Sequence, residues 1–163
     1  MVWAVIRFGT DGWRAVIADE FTFENVRRVA QAYADYLNQR DGAGRPVVVG
    51  YDTRFLSDRF AAEVARVLAG NGVRVLLASH PAPTPAVSWA VRAQGAAGAV
   101  MVTASHNPPE YNGIKIKADY AGSALPALTR AVEEQLAANE VAGRHPRLID
   151  FHGAVAGGGI RLF

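Results

Sequence analysis

Apolar residues recur along this chain in two rhythms that take turns. Pro46–Tyr51, Val73–Ala78 and Gly98–Val102 are short, largely unbroken apolar runs, and between them the apolar positions return every three or four residues. A short run bounded by breakers reads as a strand covered on both faces, whereas the longer rhythm reads as a helix with one buried side. The opening Met1 to Ile6, stopped by Arg7, is too short for a signal sequence and is read as a first strand. Thr22 is placed to cap a helix with Val26, Val29, Ala30, Tyr33 and Leu37 on one face, ended by Asp41-Gly42-Ala43-Gly44. Ser57 is read as the cap of a second helix carrying Phe60, Ala61, Val64 and Leu68 inward, with Gly70-Asn71-Gly72 as its stop. Thr84-Pro85 supplies a cap and a first-turn proline for a short helix over Ala86–Arg92. In Ile114-Lys115-Ile116-Lys117 the alternation sends both isoleucines to the covered face of a sheet and both lysines to the other. Leu125 to Asn139 reads as a last helix. From Val141 to Phe163 the periodicity is lost, and the glycine-rich Gly153 to Gly159 reads as linker or tail rather than core.

Strands and helices in this order predict an α/β fold: three layers, a mostly parallel mixed sheet, and helices on both faces. Ligands in such folds collect beyond the carboxyl ends of the strands. The expected domain is 1–140, with 141–163 a tail or truncated linker. Gly9–Arg14, Asp52–Arg54 and Thr103–Asn112 are the loops expected at the ligand-binding end, and no internal repeat is visible.

Composition narrows the class. A chain of 163 residues, half hydrophobic and one fifth charged, suits one ordinary globular domain. The absence of cysteine excludes disulfides and thiolate metal sites and fits a cytoplasmic setting. No apolar run approaches the length that spans a bilayer. A net charge of +2 with scattered arginines argues against nucleic acid as a partner, and no membrane partner is expected. Of the 17 basic residues only Lys115 and Lys117 are lysine. A GC-rich codon bias explains the excess of arginine but not why both lysines follow one loop. Lysine is the cation whose ionisation its surroundings can bring into a catalytic range.

That loop is Thr103-Ala104-Ser105-His106-Asn107-Pro108, delivered by the last buried strand. An unactivated serine needs a base, a metal or a preorganised anion site before it reacts. Backbone N–H groups at a strand end and a nearby cation supply such a site for a phosphoryl group. Ser105 is therefore the candidate carrier. His106 either shuttles a proton or braces the turn, and Lys115 is either a general acid/base or a solvated cation; the acid/base reading is preferred. A Ser-His hydrolase is not expected, because no Gly-x-Ser-x-Gly elbow is present. Phe8-Gly9-Thr10-Asp11-Gly12-Trp13-Arg14 combines a tight turn with an arginine able to grip phosphate oxygens, although Asp-Gly alone marks only a turn. In Asp52-Thr53-Arg54 the pair is read as fixing its loop rather than binding substrate.

These segments together, Phe8 to Arg14, Gly50 to Arg54, Thr103 to Pro108 and Tyr111-Asn112-Gly113-Ile114-Lys115, resemble the first domain of the α-D-phosphohexomutases in content, order and spacing over roughly residues 5–140. Trp13 looks more like the phosphoglucomutase and phosphomannomutase branches than the phosphoglucosamine branch. The resemblance implies that Ser105 is carried as phosphoserine and exchanges its phosphoryl group with hexose phosphate and hexose bisphosphate, converting 1- and 6-phosphates. It further implies Lys115 as general acid/base, Arg14 as a phosphate contact, His106 as an active-site histidine, and Mg²⁺ held partly through the phosphate on Ser105.

The departures set equally definite expectations. The family's metal is completed by an aspartate-rich loop of a second domain, and no Asp-x-Asp-x-Asp occurs here. The sugar-recognition and carboxyl-terminal phosphate loops are lacking as well. The chain is thus expected to be one piece of a mutase (an excised segment, a split gene or a frame change), inactive without the missing mutase domains. A phosphoglucosamine mutase domain and a non-catalytic remnant that binds a sugar phosphate or a partner are the alternatives.

Overall fold

In the computed structural model, which describes residues 5–40 and 44–163, a single six-stranded sheet organises the chain in the order β1-β5-β4-β2-β3-β6. The strands are β1 (Trp13–Val16), β2 (Val47–Tyr51), β3 (Val75–Leu77), β4 (Gly98–Val102), β5 (Tyr111–Ala118) and β6 (Ile160–Leu162). The helices are α1 (Phe23–Asn38), α2 (Ser57–Gly70), α3 (Thr84–Ala93), α4 (Pro126–Val141) and α5 (Phe151–Ala156). β2 pairs in parallel with β3 and β4, and β3 with β6. β5 is antiparallel to both β4 and β1. The link from β4 to β5 contains no helix, and a connection this short returns the chain antiparallel, since a parallel return needs a crossover of a dozen residues or more.

Both faces of the sheet are covered, as the unbroken apolar runs predict. Val47, Val49, Val100, Val102, Ile114 and Ile116 join α1, α2, α4 and α5 in one core, while Val48, Ala99 and Met101 meet Val87, Ala90 and Val91 of α3 in the other. Alternate residues of each strand therefore serve opposite layers. From β2 the chain steps to β3 on one side, and after α3 it returns to β4 on the other side of β2. This reversal opens a crevice beyond the carboxyl ends of β2 and β4, where ligands of open α/β sheets collect.

Several local expectations change. The expected first strand falls partly on Met1–Ala4, outside the described residues, and Val5 and Ile6 are irregular; the first described strand is Trp13–Val16, which begins at the end of the glycine-containing motif. Of the expected helix stop, residues 41–43 also lie outside the described set. Thr22 does cap α1, its side chain accepting from the Asn25 N–H at 3.2 Å. Ser57 does not cap α2. Leu56 holds the cap position at φ +60°, and the fully buried Ser57 hydroxyl donates to Asp52 Oδ1 at 2.8 Å instead.

The largest correction concerns 141–163, expected to be tail or linker. Asp150 caps α5 through the Gly153 N–H at 2.7 Å, Gly158 turns at φ +77°, and Ile160 enters the core beside β3 at 1% exposure. Arg144 reaches Asp35 of α1, with Nη2 at 2.7 Å from Oδ1. Three strand residues are too few to show periodicity, and β6 exists because β3 offers a free edge.

Candidate active site

The serine loop begins where β4 ends. Ala104 and Asn107 close a tight turn, the Asn107 N–H donating to the Ala104 carbonyl at 3.0 Å. Ser105, first of its two central residues, has φ +56°, a left-handed conformation that costs an L-residue on the order of 1–2 kcal/mol. Its N–H is held by Thr103 Oγ1 at 3.0 Å, and its side chain makes no hydrogen bond among the described residues. Ser105 and His106 are both exposed. The His106 ring likewise makes no hydrogen bond among the described residues, so it does not brace the turn through one.

Arg54, beyond the end of β2, clasps this loop. Its Nη1 donates to the carbonyls of Pro108 at 2.8 Å and Tyr111 at 3.0 Å, and its Nη2 to those of Ser105 at 2.9 Å and Asn107 at 2.6 Å. Asp52 orients the guanidinium, lying 3.5 Å from Nε, and accepts from the Arg54 N–H at 3.0 Å. Ser57, donating to Asp52, in turn accepts from Nδ2 of the fully buried Asn112 at 2.9 Å. Asp52 and Arg54 are therefore structural as expected, but the loop that Arg54 secures is the serine loop and not its own. Sequence shows no such reach.

Arg14 lies on β1 beside the same loop, its Nη1 donating to Asn107 Oδ1 at 2.8 Å. Lys115, on the β5 face opposite Ile114 and Ile116, places Nζ 2.5 Å from Asp11 Oδ2 and is only 6% exposed. The turn that delivers Asp11 depends on Gly12, at φ +103°, where a Cβ would lie 2.5 Å from the Ile114 carbonyl oxygen. Asp11 Oδ1 accepts from Ser123 Oγ at 3.3 Å, and Ser123 accepts from Lys117 Nζ at 3.0 Å. Burial pushes the Asp11 carboxyl up, but the Lys115 hydrogen bond and the charges of both lysines outweigh it and hold it below the ordinary value. Lys117 is lowered, burial and the Lys115 charge together outweighing the attraction of Asp11.

The structure thus gathers Ser105, His106 and Arg14 at one loop and gives Lys115 a carboxylate partner. Asp11 and Thr103 stand within the motifs read from the sequence, but their roles do not, because partnership across the sheet leaves no local pattern. Lys117 and Ser123 meet through the turn after β5, where the Ala118 N–H donates to the Gly122 carbonyl at 3.0 Å. Among the described residues no group of three His, Cys, Asp or Glu side chains converges to hold a metal. Asp11 is committed to Lys115, and Asp52 to Ser57 and Arg54.

Comparison with known proteins identifies the family. The family described as phosphoglucomutase/phosphomannomutase, alpha/beta/alpha domain I, matches residues 5–142. A phosphoglucomutase of Staphylococcus saprophyticus is 41% identical over 139 residues, covering 81% of this chain and 24% of the relative. A phosphoglucomutase/phosphomannomutase of Thermococcus kodakarensis is 38% identical over 148 residues, covering 90% of this chain and 30% of the relative. A solved structure from Thermus thermophilus, provisionally described as a phosphomannomutase, superimposes with a TM-score of 0.80 at 49% identity, covering 83% of this chain and 30% of that one. The chain spans about a quarter to a third of the length of these proteins. With the family model matching residues 5–142 and the fold shared with a solved relative at 49% identity, the chain belongs to the phosphoglucomutase/phosphomannomutase family and corresponds to its α/β/α domain I.

Proposed function

We propose that this chain is the phosphoryl-carrying domain of a phosphohexomutase, with Ser105 as carrier, Lys115 as general acid/base and Arg14 as a phosphate contact. The observation that carries the reading is Ser105 itself, exposed in a left-handed turn that Arg54 clasps by four carbonyls, with its hydroxyl uncommitted among the described residues. Such rigidity positions a reacting oxygen without further ordering cost.

The reaction is an exchange of phosphoryl between two oxygens. The P–Oγ bond of phosphoserine breaks as a P–O bond to a sugar hydroxyl forms, and the hydroxyl proton passes by way of the Lys115 amine to Ser105 Oγ. The bisphosphorylated sugar then presents its other phosphate, and the same steps run in reverse. Phosphoryl transfer of this kind depends on positioning and charge stabilisation more than on covalent chemistry. Arg14 offers guanidinium N–H groups beyond the one held by Asn107, and His106 stands exposed beside the carrier.

The carboxylates of Asp11 and Asp52 do not fit a Mg²⁺ cage, since both are already paired, and no three acidic or histidine side chains converge among the described residues. A phosphate on Ser105 would contribute one ligand, and the others would come from outside these residues. Sugar selection and full turnover are assigned to other mutase domains in the same way, and a cytoplasmic setting suits this chemistry. Among the described residues no helix is long and apolar enough to cross a membrane.

Incubation of the chain with glucose 1,6-bisphosphate and Mg²⁺, followed by peptide mass spectrometry, tests the carrier role. Phosphate on Ser105, absent in S105A, is the expected result. An unmodified chain that still binds hexose phosphate points to a binding remnant and overturns the proposal. Adding the remaining mutase domains and comparing glucose, mannose and glucosamine phosphates then assigns the sugar.

A further inference from the structure

The four carbonyls held by Arg54 have a consequence for the opposite side of the loop. In a trans peptide the N–H points away from the C=O, and the described residues contain no cis peptide. The Ser105 carbonyl receives Arg54 Nη2 at 2.9 Å, so the N–H of the same peptide, which belongs to His106, is directed away from the guanidinium. From Ser105 to Pro109 every other backbone donor is committed or absent. The Ser105 N–H goes to Thr103 Oγ1, the Asn107 N–H to the Ala104 carbonyl, and Pro108 and Pro109 have none. The His106 N–H alone in this stretch has no partner among the described residues.

The geometry points to the His106 backbone N–H as a phosphate-oxygen donor for the phosphoryl group on Ser105, aimed by Arg54 from behind the peptide. Arg54 is then a positioning residue: it touches no reacting atom, but it fixes the peptide plane and places a positive charge at its carbonyl end. The peptide dipole aligned with that charge presents its positive end to the anion, the arrangement by which backbone nests hold phosphate. A preset donor of this kind stabilises charge without reorganising during the reaction. This inference rests on Ser105 as the phosphoryl carrier and goes beyond it, since it assigns a role to a main-chain group and to an arginine outside the carrier's own segment.

The test uses the chain with phosphoserine installed at position 105 during translation, so that it does not depend on uptake from a sugar. ¹H–¹⁵N spectra are followed from pH 5 to 8. The expected result is a downfield His106 amide that titrates with the second phosphate ionisation, at about pH 6, and exchanges slowly with solvent. In R54K, which keeps the charge but not the planar fork, both the titration and the protection should be lost while the remaining spectrum is retained. A His106 amide indifferent to the phosphate in the wild-type chain overturns the inference without recourse to any variant. A response of equal size in R54K overturns the part given to Arg54. Failure of Ser105 to take phosphate from glucose 1,6-bisphosphate is a separate outcome, which strikes the carrier reading alone.

Discussion

The guanidinium of Arg54 donates to the main-chain carbonyl of Ser105 at 2.9 Å across 51 residues of sequence, and three more carbonyls of the same loop share that guanidinium. The crevice beyond β2 and β4 is thereby locked on its serine side by a side chain from the β2 end. Charge-assisted hydrogen bonds are about twice as strong as neutral ones, so the clasp concentrates much of the loop's order in one residue.

Replacing Arg54 by Ala should destabilise the chain by about 2–3 kcal/mol, because four carbonyls lose a charged donor and Asp52 loses its partner. R54K should recover part of that stability while phosphoryl uptake onto Ser105 remains down by about 100-fold, the cost of one misplaced anion donor. Urea denaturation and mass-spectrometric uptake kinetics check the two effects separately.

Ser105 at φ +56° is strained by its position. S105G should stabilise the chain by about 0.5–1 kcal/mol, left-handed strain of about 1–2 kcal/mol being relieved and partly offset by the entropy of glycine. At this size the melting temperature should rise by about 2–4 °C for each kcal/mol. The same substitution removes the hydroxyl and should abolish phosphate incorporation. A lower melting temperature for S105G would show that the turn is relaxed.

Gly12 sits at φ +103° against the Ile114 carbonyl, with the Lys115 side chain 3.0 Å from a would-be Cβ. G12A should cost about 2 kcal/mol or more, from backbone strain together with overpacking. It should also displace Asp11 from Lys115, so uptake at Ser105 should fall further than stability alone explains. Comparing the rate of uptake well below the melting temperature isolates that loss.

Asp11 carries a carboxyl held below its ordinary value of 3.8. Its contribution to stability is therefore fully present above that value and is lost as pH falls through the lower folded-state value. D11N should be less stable than the parent at neutral pH, and the two unfolding curves should converge as pH drops below about 3.8. A gap that persists unchanged at the acid end would assign the effect to packing.

Lys117 is the opposite case, a base lowered chiefly by burial. Between its folded value and 10.5 the unfolded chain binds more protons than the folded one, so this group makes stability rise with pH across that window. K117M should stabilise the chain at neutral pH by on the order of 1 kcal/mol, with the advantage shrinking as pH approaches 10.5. Thermal denaturation between pH 7 and 10 reads both the sign and the slope.

The amino-acid sequence alone determined the layers and the chemistry on offer. The unbroken apolar runs of β2 and β4 require cover on both faces, and the spacing of Val26, Val29, Tyr33 and Leu37 requires a helix, since burial of alternate or every-third residues is a local matter of chain geometry. The serine loop, the lone pair of lysines and the glycine turn before Arg14 were likewise legible as residue types in order. Only the tertiary structure decided who holds whom. Arg54 reaches the Ser105 loop, Asp11 faces Lys115, Ser57 turns from capping to the Asp52 network, and β6 adds itself to β3 through a segment without periodicity. These are pairings between residues far apart in the chain, set by the order of strands in the sheet and by which edge stands open. No local spacing encodes them, because a hydrogen bond across a crevice depends on where two strands end in space and not on how either is composed.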